Sequence, residues 1–202
     1  MHPDRATPPP SDVRILIRTR LVVLGEVQRE IAERIQENIQ SVFQEMHVAL
    51  ADAPLPLPSE AFSKTRHQYR SDMLLELIRR KAVTSESFDR FLGIVDVDIF
   101  VPRMNFVFGE AECPGKAAVV SLWRLKPEFY KRPPSMEVLV ERGTKEAVHE
   151  LGHTFGLGHC LNPFCVMYFS NSIFETDRKQ SLLCSKCHMK VEGQLENRGE
   201  VQ

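Results

Sequence analysis

An α/β sandwich is the fold this sequence predicts, on three observations. Short apolar runs of strand length alternate with stretches whose apolar residues recur at helical spacing. The last of those helices is long and runs into a histidine-rich motif. Beyond it regular periodicity fades, and four of the five cysteines lie there, which predicts a small C-terminal lobe stapled by metal.

Taken in order, residues 1–12 hold charges and Pro8-Pro9-Pro10 and predict a disordered arm. Ile15 to Leu24 reads as a strand, clearest at Leu21-Val22-Val23-Leu24, and Gly25 punctuates it. Val27, Ile31, Ile35, Ile39, Val42, Phe43 and Met46 then recur at helical spacing, an amphipathic helix for packing on a sheet. His47 to Leu50 is a short second strand, ended by Pro54, Pro56 and Pro58. A second helix is expected from Ser71, as its cap, to Ala82. Phe91 to Phe100 reads as one strand, with Asp96 and Asp98 as a polar face or strand end rather than a second metal site. Phe106 to Phe108 and Ala117 to Leu122 read as two further strands around a turn at Pro114-Gly115. Met136 to Leu157 is the long helix, with Gly143 as a possible break. Ser181 to Lys190 is expected to be helical, and Gly193 to Gln202 polar and frayed.

The chemistry lies in His149-Glu150-Leu151-Gly152-His153-Thr154-Phe155-Gly156-Leu157-Gly158-His159, which reads H-E-x-x-H-x-x-G-x-x-H. Four residues apart on a helix, His149 and His153 share a face with Cβ atoms roughly 5–6 Å apart. Both can bind one Zn²⁺ at about 2.0–2.1 Å. Gly156 can take the left-handed backbone that ends a helix, so that His159 arrives as third ligand from outside it. Three protein ligands leave a fourth position for water, the mark of a catalytic rather than a structural zinc site. Zinc lowers the pKa of such a water from about 16 to roughly 7, and Glu150, one step round from His149, is positioned as its general base. A lone histidine on an apolar face is best read as a core residue, but here five specified positions coincide.

Cys160, Cys165, Cys184 and Cys187 read C-x4-C and C-x2-C across a gap of eighteen residues. Two close pairs suit a four-thiolate structural zinc site. Two disulfides are the other reading, and they need an oxidising compartment. Nothing in Met1 to Ser11 resembles an export signal. Cys113 has no sequence partner and is expected as a plain loop thiol; His47 and His67 are expected at the surface. Because Cys160 follows His159 directly, the two metal sites are expected to be coupled.

With this block in view, the sequence resembles the archaemetzincins, a family of the metzincin clan of zinc peptidases. The pattern comprises the extended histidine motif, a cysteine after the third histidine, C-x4-C, a methionine two residues on, and C-x2-C; residues 149–187 carry it. The resemblance implies a metzincin-like fold: a twisted mixed sheet with packed helices above a zinc-floored cleft, and an edge strand that binds extended peptide. Asn105 to Glu110 is the candidate edge. It further implies His149, His153 and His159 on catalytic zinc, Glu150 as base, the four cysteines on structural zinc, and Met167 as the turn beneath the histidines. Some metzincins carry a zinc-reaching tyrosine two residues past this methionine. Here that residue is Phe169, and Tyr168 is expected at most to donate a hydrogen bond near the cleft.

The whole is expected as an upper subdomain, residues 13–158, and a lower one, residues 159–202, holding two zinc ions. With 202 residues, 43% hydrophobic, and a net charge of −1, the chain gives no electrostatic case for nucleic acid or anionic membrane. No apolar run approaches the roughly 18 residues of a membrane span. The expected partner is a peptide or protein substrate, the expected location cytoplasmic, and the oligomeric state is open. A second class of function is a metal-retaining peptide-binding or regulatory protein with little turnover. A third, zinc buffering or redox chemistry by the cysteine pairs, leaves Glu150 unexplained.

Overall fold

The computed structural model describes residues 17–43, 46–85 and 87–199; the expected N-terminal arm and the last residues of the tail lie outside them. The main sheet contains β1 (Ile17–Leu24), β2 (Met46–Leu50), β5 (Arg90–Val95), β7 (Gly109–Ala111) and β8 (Ala117–Ser121). Their order is β2-β1-β5-β8-β7, all parallel except β7, which runs antiparallel to β8. Every residue of β5 and of β8 is buried, as expected of central strands covered on both faces. On one face pack α1 (Arg29–Val42) and α3 (Met136–Thr154), on the other α2 (Ser71–Val83). A three-stranded sheet, β3 (Phe62–Ser63), β4 (Gln68–Arg70) and β6 (Ile99–Phe100), lies beside it. α4 (Ile173–Arg178) and α5 (Ser185–Gly199) form the C-terminal part. The predicted α/β architecture therefore holds.

Several boundaries differ for identifiable reasons. The first helix stops at Val42: Phe43 closes it through its N–H on Ile39 O (3.0 Å), and Met46 opens β2. Both side chains are buried, so they continue the apolar rhythm without continuing the helix. Ser71 is the first residue of α2, not its cap; its hydroxyl donates to Phe100 O (3.0 Å) and ties α2 to β6. The expected strand Phe91–Phe100 is two strands in different sheets. It breaks where Asp96 turns to Lys126 (2.6 Å) and Asp98 accepts both guanidinium nitrogens of Arg124 (2.7 Å each). Among the described residues neither aspartate belongs to a group that could hold a metal.

The strand expected at Phe106–Phe108 forms three residues later as β7. Phe106 and Phe108 instead pack edge to face, centroids 5.2 Å apart. Gly143 does not divide α3: a Cβ there would lie 2.8 Å from Ile35 Cδ1, so the glycine serves close packing against α1. The last helix begins at Ser185, four residues later than expected, and its helical hydrogen bonding runs through Gly193 as far as Gly199, where fraying was expected. α4 was not anticipated; Ser172 and Glu175 form a capping box at its start.

Candidate metal centre and cleft

Ser135 caps helix α3, its hydroxyl accepting from Val138 N–H. The helix ends where Phe155 N–H and Gly156 N–H return to Gly152 O and His153 O (3.1 and 2.7 Å). Gly156 has φ +81°, the left-handed turn expected there. The chain reverses, and His159 comes back against the helix. His149, His153 and His159 offer ring nitrogens all within 4.8 Å of one another. His149 Nδ1 donates to Val166 O (2.8 Å) and His153 Nδ1 to Leu157 O (2.7 Å). A carbonyl can only accept, so both protons sit on Nδ1 and both Nε2 lone pairs are free. Those two Nε2 atoms are 3.1 Å apart, a spacing that suits two bonds of about 2.0–2.1 Å to one ion. Burial lowers the pKa of all three imidazoles, most strongly for His149, and so favours the neutral form that ligates.

Glu150 lies beside this cluster, 6% exposed. Burial pushes its carboxyl well above the usual carboxylate range, with Glu146 adding to the effect and Lys179 opposing it. A dication next to the carboxyl acts in the opposite direction. Glu150 fits there because residue 109 has no side chain: a Cβ on Gly109 would lie 2.5 Å from Glu150 Cγ and 2.6 Å from its Oε1. Gly152 makes similar room on the other side, where an added Cβ would collide with Met167 Sδ. Met167 is fully buried beneath the helix.

The thiols of Cys160, Cys165, Cys184 and Cys187 form a second cluster, also within 4.8 Å. Cys160 Sγ and Cys184 Sγ are 3.8 Å apart, the edge of about 3.8 Å that a tetrahedron with 2.3 Å metal–sulfur bonds would have. All are free thiols in this structure, so the arrangement fits a four-thiolate metal site rather than disulfides. Cys184 is pulled down to about 7 by the backbone N–H of Cys187, whereas burial pushes Cys165 and Cys187 up. The clusters are joined twice: by the His159–Cys160 peptide bond, and by Cys165-Val166-Met167. In that second link Val166 O holds His149, and Met167 O accepts from Cys160 N–H (2.8 Å).

The cleft over the histidines has a volume of about 460 Å³. Val101, Met104, Phe106, Val107, Phe108 and Ala111 give it an apolar wall, and β7 is its rim. Phe169, not Tyr168, lines it, with its ring 4.7 Å from that of His159. Cys113 also lines it, its Sγ 3.6 Å from Leu157 O. A larger cavity of about 580 Å³ opens at the carboxyl ends of β1 and β2. Neither histidine nor cysteine lines that cavity, so the chemistry belongs to the smaller cleft. His47 and His67 are exposed, as expected.

Sequence reading missed the groups behind the cluster. Fully buried Lys179 meets Glu146 (3.0 Å), which also accepts from Thr176 Oγ1 (2.8 Å). Glu146 precedes Glu150 by one helical turn, the only sequence signal for it. The carbonyls of Val166 and Leu157 have no sequence signal at all.

Residues 13–193 match Peptidase family M54. The chain belongs to that family. The archaemetzincin of Pyrococcus furiosus is 40% identical over 190 residues, covering 90% of this chain and 95% of its own length. The crystal structure of the Methanopyrus kandleri archaemetzincin superposes with a TM-score of 0.78 at 38% identity, covering 92% of this chain and 98% of that one. A structure described as a zinc-dependent peptidase from Methanocorpusculum labreanum gives 0.75 at 31% identity, covering 86% and 99%. The resemblance drawn from residues 149–187 thus extends over nearly the whole M54 chain, and the enzyme class it implied, zinc metallopeptidase, is that of the family. Among the described residues no helix is long and apolar enough to cross a membrane.

Proposed function

We propose that the chain hydrolyses peptide bonds at the His149–His153–His159 cluster with Glu150 as general base, and that it holds two zinc ions, one there and one on the four cysteines. The observation that carries this reading is the convergence of two free Nε2 lone pairs 3.1 Å apart beside a carboxylate that is not itself in the ligand set. A closed structural site has no use for that carboxylate. A zinc ion bound there supplies Lewis acidity, which lowers the pKa of water and stabilises negative charge.

The residues of the chain do the rest. Val166 O and Leu157 O fix the ring tautomers. Glu150 takes a proton from the attacking water and returns it to the leaving amine. Gly109 and Ala111 offer their main chain to an extended substrate. Register supports this: Ser121 N–H bonds Phe108 O and Glu112 N–H bonds Ala117 O, so 108, 110 and 112 point into β8 while 109 and 111 point outward. The cleft then lies between an upper subdomain ending at residue 158 and a lower one that begins at His159. Free thiols are compatible with a reducing compartment, which supports the cytoplasmic assignment.

Replacing Glu150 with alanine should leave zinc content intact and lower hydrolysis of peptide pools by roughly 10²–10⁴-fold. A Glu150→Ala protein as active as the parent would remove Glu150 from the mechanism. A parent without turnover that still binds peptides would favour the regulatory alternative.

A further inference from the structure

Among the polar groups lining the cleft, Glu110 stands out. It occupies the middle of β7, between the two residues whose main chain faces outward. Its neighbours in the cleft wall, Phe106, Val107, Phe108 and Ala111, are apolar. Its Oε2 is buried and has no hydrogen-bond partner, and no lysine or arginine pairs with it among the described ion pairs. Burial raises its pKa, the Ser71 hydroxyl opposes that rise, and Asp72 at the start of α2 adds to it; the other charged group it feels is the carboxyl of Glu150, again of like sign. A carboxylate oxygen left in this condition costs free energy that a bound cation would offset. The proposed mechanism does not use it.

Strand geometry gives Glu110 a definite place relative to substrate. Gly109 faces Glu150 on the α3 side, so Glu110 faces the other side, toward Ser71 and Asp72 of α2. A peptide laid along the free edge alternates in the same way. One of its positions therefore sits across from Glu110 on that upper face, at cross-strand distance.

Building on the peptidase reading, we infer that Glu110 is a specificity-determining residue: the cleft selects peptides that bring an ammonium group to the position opposite Glu110. The group could come from a lysine side chain or from the free amino end of the peptide. Both present the same charge and donors to the Glu110 carboxylate, and the apolar residues beside it in the wall offer them nothing.

The test uses one peptide backbone in matched versions: lysine or its uncharged isostere norleucine at each position in turn, with the amino end free or acetylated. In the zinc-loaded parent, one placement of the ammonium should raise kcat/KM at least ~10-fold over its neutral match. A lysine effect identifies the side chain as the source; an acetylation effect identifies the amino end. In Glu110→Gln the ratio between matched peptides should collapse toward one. In Glu110→Lys it should invert in favour of a glutamate-bearing peptide. Circular dichroism melts establish that both variants are folded. The same peptides are also titrated by fluorescence anisotropy against the metal-loaded Glu150→Ala protein, with and without Glu110→Gln. The preference should appear there in Kd even if the parent has no turnover, which separates this inference from the hydrolytic one. No preference in the parent by either readout, or a preference that survives in Glu110→Gln, would overturn it.

Discussion

At residue 109 the absence of a side chain decides where the proposed base can stand. Adding one carbon there brings it within 2.7 Å of Glu150 Cδ, and the neighbour is a side chain on a helix that cannot retreat into the sheet. Gly109→Ala should therefore push Glu150 aside while the histidines keep their metal. A shift of about 1 Å in a reacting group costs on the order of 10²-fold in rate. The expected result is a fall of that size in kcat with unchanged zinc content; equal kcat in parent and variant would contradict the close fit. The histidines, Glu150 and Gly156 were legible in the sequence because their spacing is local; Met167 was marked only by the family resemblance, since by itself it reads as a buried core residue. Gly109 was not legible, because its meaning depends on β7 lying over α3, a contact between distant parts of the chain. Phe169 and Tyr168 illustrate the same limit: only the course of the loop after Met167 decides which ring faces His159.

At the scale of elements, the edge strand is where sequence and structure part most clearly. The apolar run Phe106–Phe108 has the composition of a strand, yet β7 is Gly109–Ala111. Packing accounts for this. Phe106 sits under the guanidinium of Arg124, 4.3 Å away, and Val107 N–H is used by Ile99 O (3.1 Å). The aromatic pair builds the cleft wall, and the ladder starts only beyond it. Proline at 107 would therefore disturb the wall, whereas proline at 111 removes an N–H that points outward. Ala111→Pro should raise KM roughly two- to tenfold, the worth of one hydrogen bond, with little change in melting temperature. An unchanged KM would exclude β7 as the substrate edge. The split of Phe91–Phe100 has a comparable cause: Lys126 and Arg124, distant in sequence, draw Asp96 and Asp98 out of the ladder.

For the whole molecule, the two metal clusters form one construction. The His159–Cys160 link was visible in the sequence. The link through Val166, from the thiol cluster to the ring of His149, was not, because a backbone carbonyl carries no residue signature. With both links present, disturbing the thiol site should be felt at the histidines. Cys184→Ser should weaken zinc retention at the histidine site by roughly 10–100-fold, as the loss of orienting partners does in other metal sites. Loss of one zinc with normal affinity for the other would show the sites to be independent. The alternation of strands and helices and the packing of α1 on a sheet were legible from apolar periodicity; the order of strands in the sheet was not, because it depends on pairings between distant segments. The buried Glu146–Lys179 pair was not: with charges so seldom buried, composition points such residues to the surface.

Zinc per chain, measured by elemental analysis on protein purified without chelator, tests the account most directly when the parent is compared with His153→Ala. About two zinc ions in the parent and about one in the variant are expected, with peptide hydrolysis present only in the parent. About one zinc in both proteins, with added zinc failing to produce hydrolysis in the parent, would contradict a catalytic metal on His149, His153 and His159.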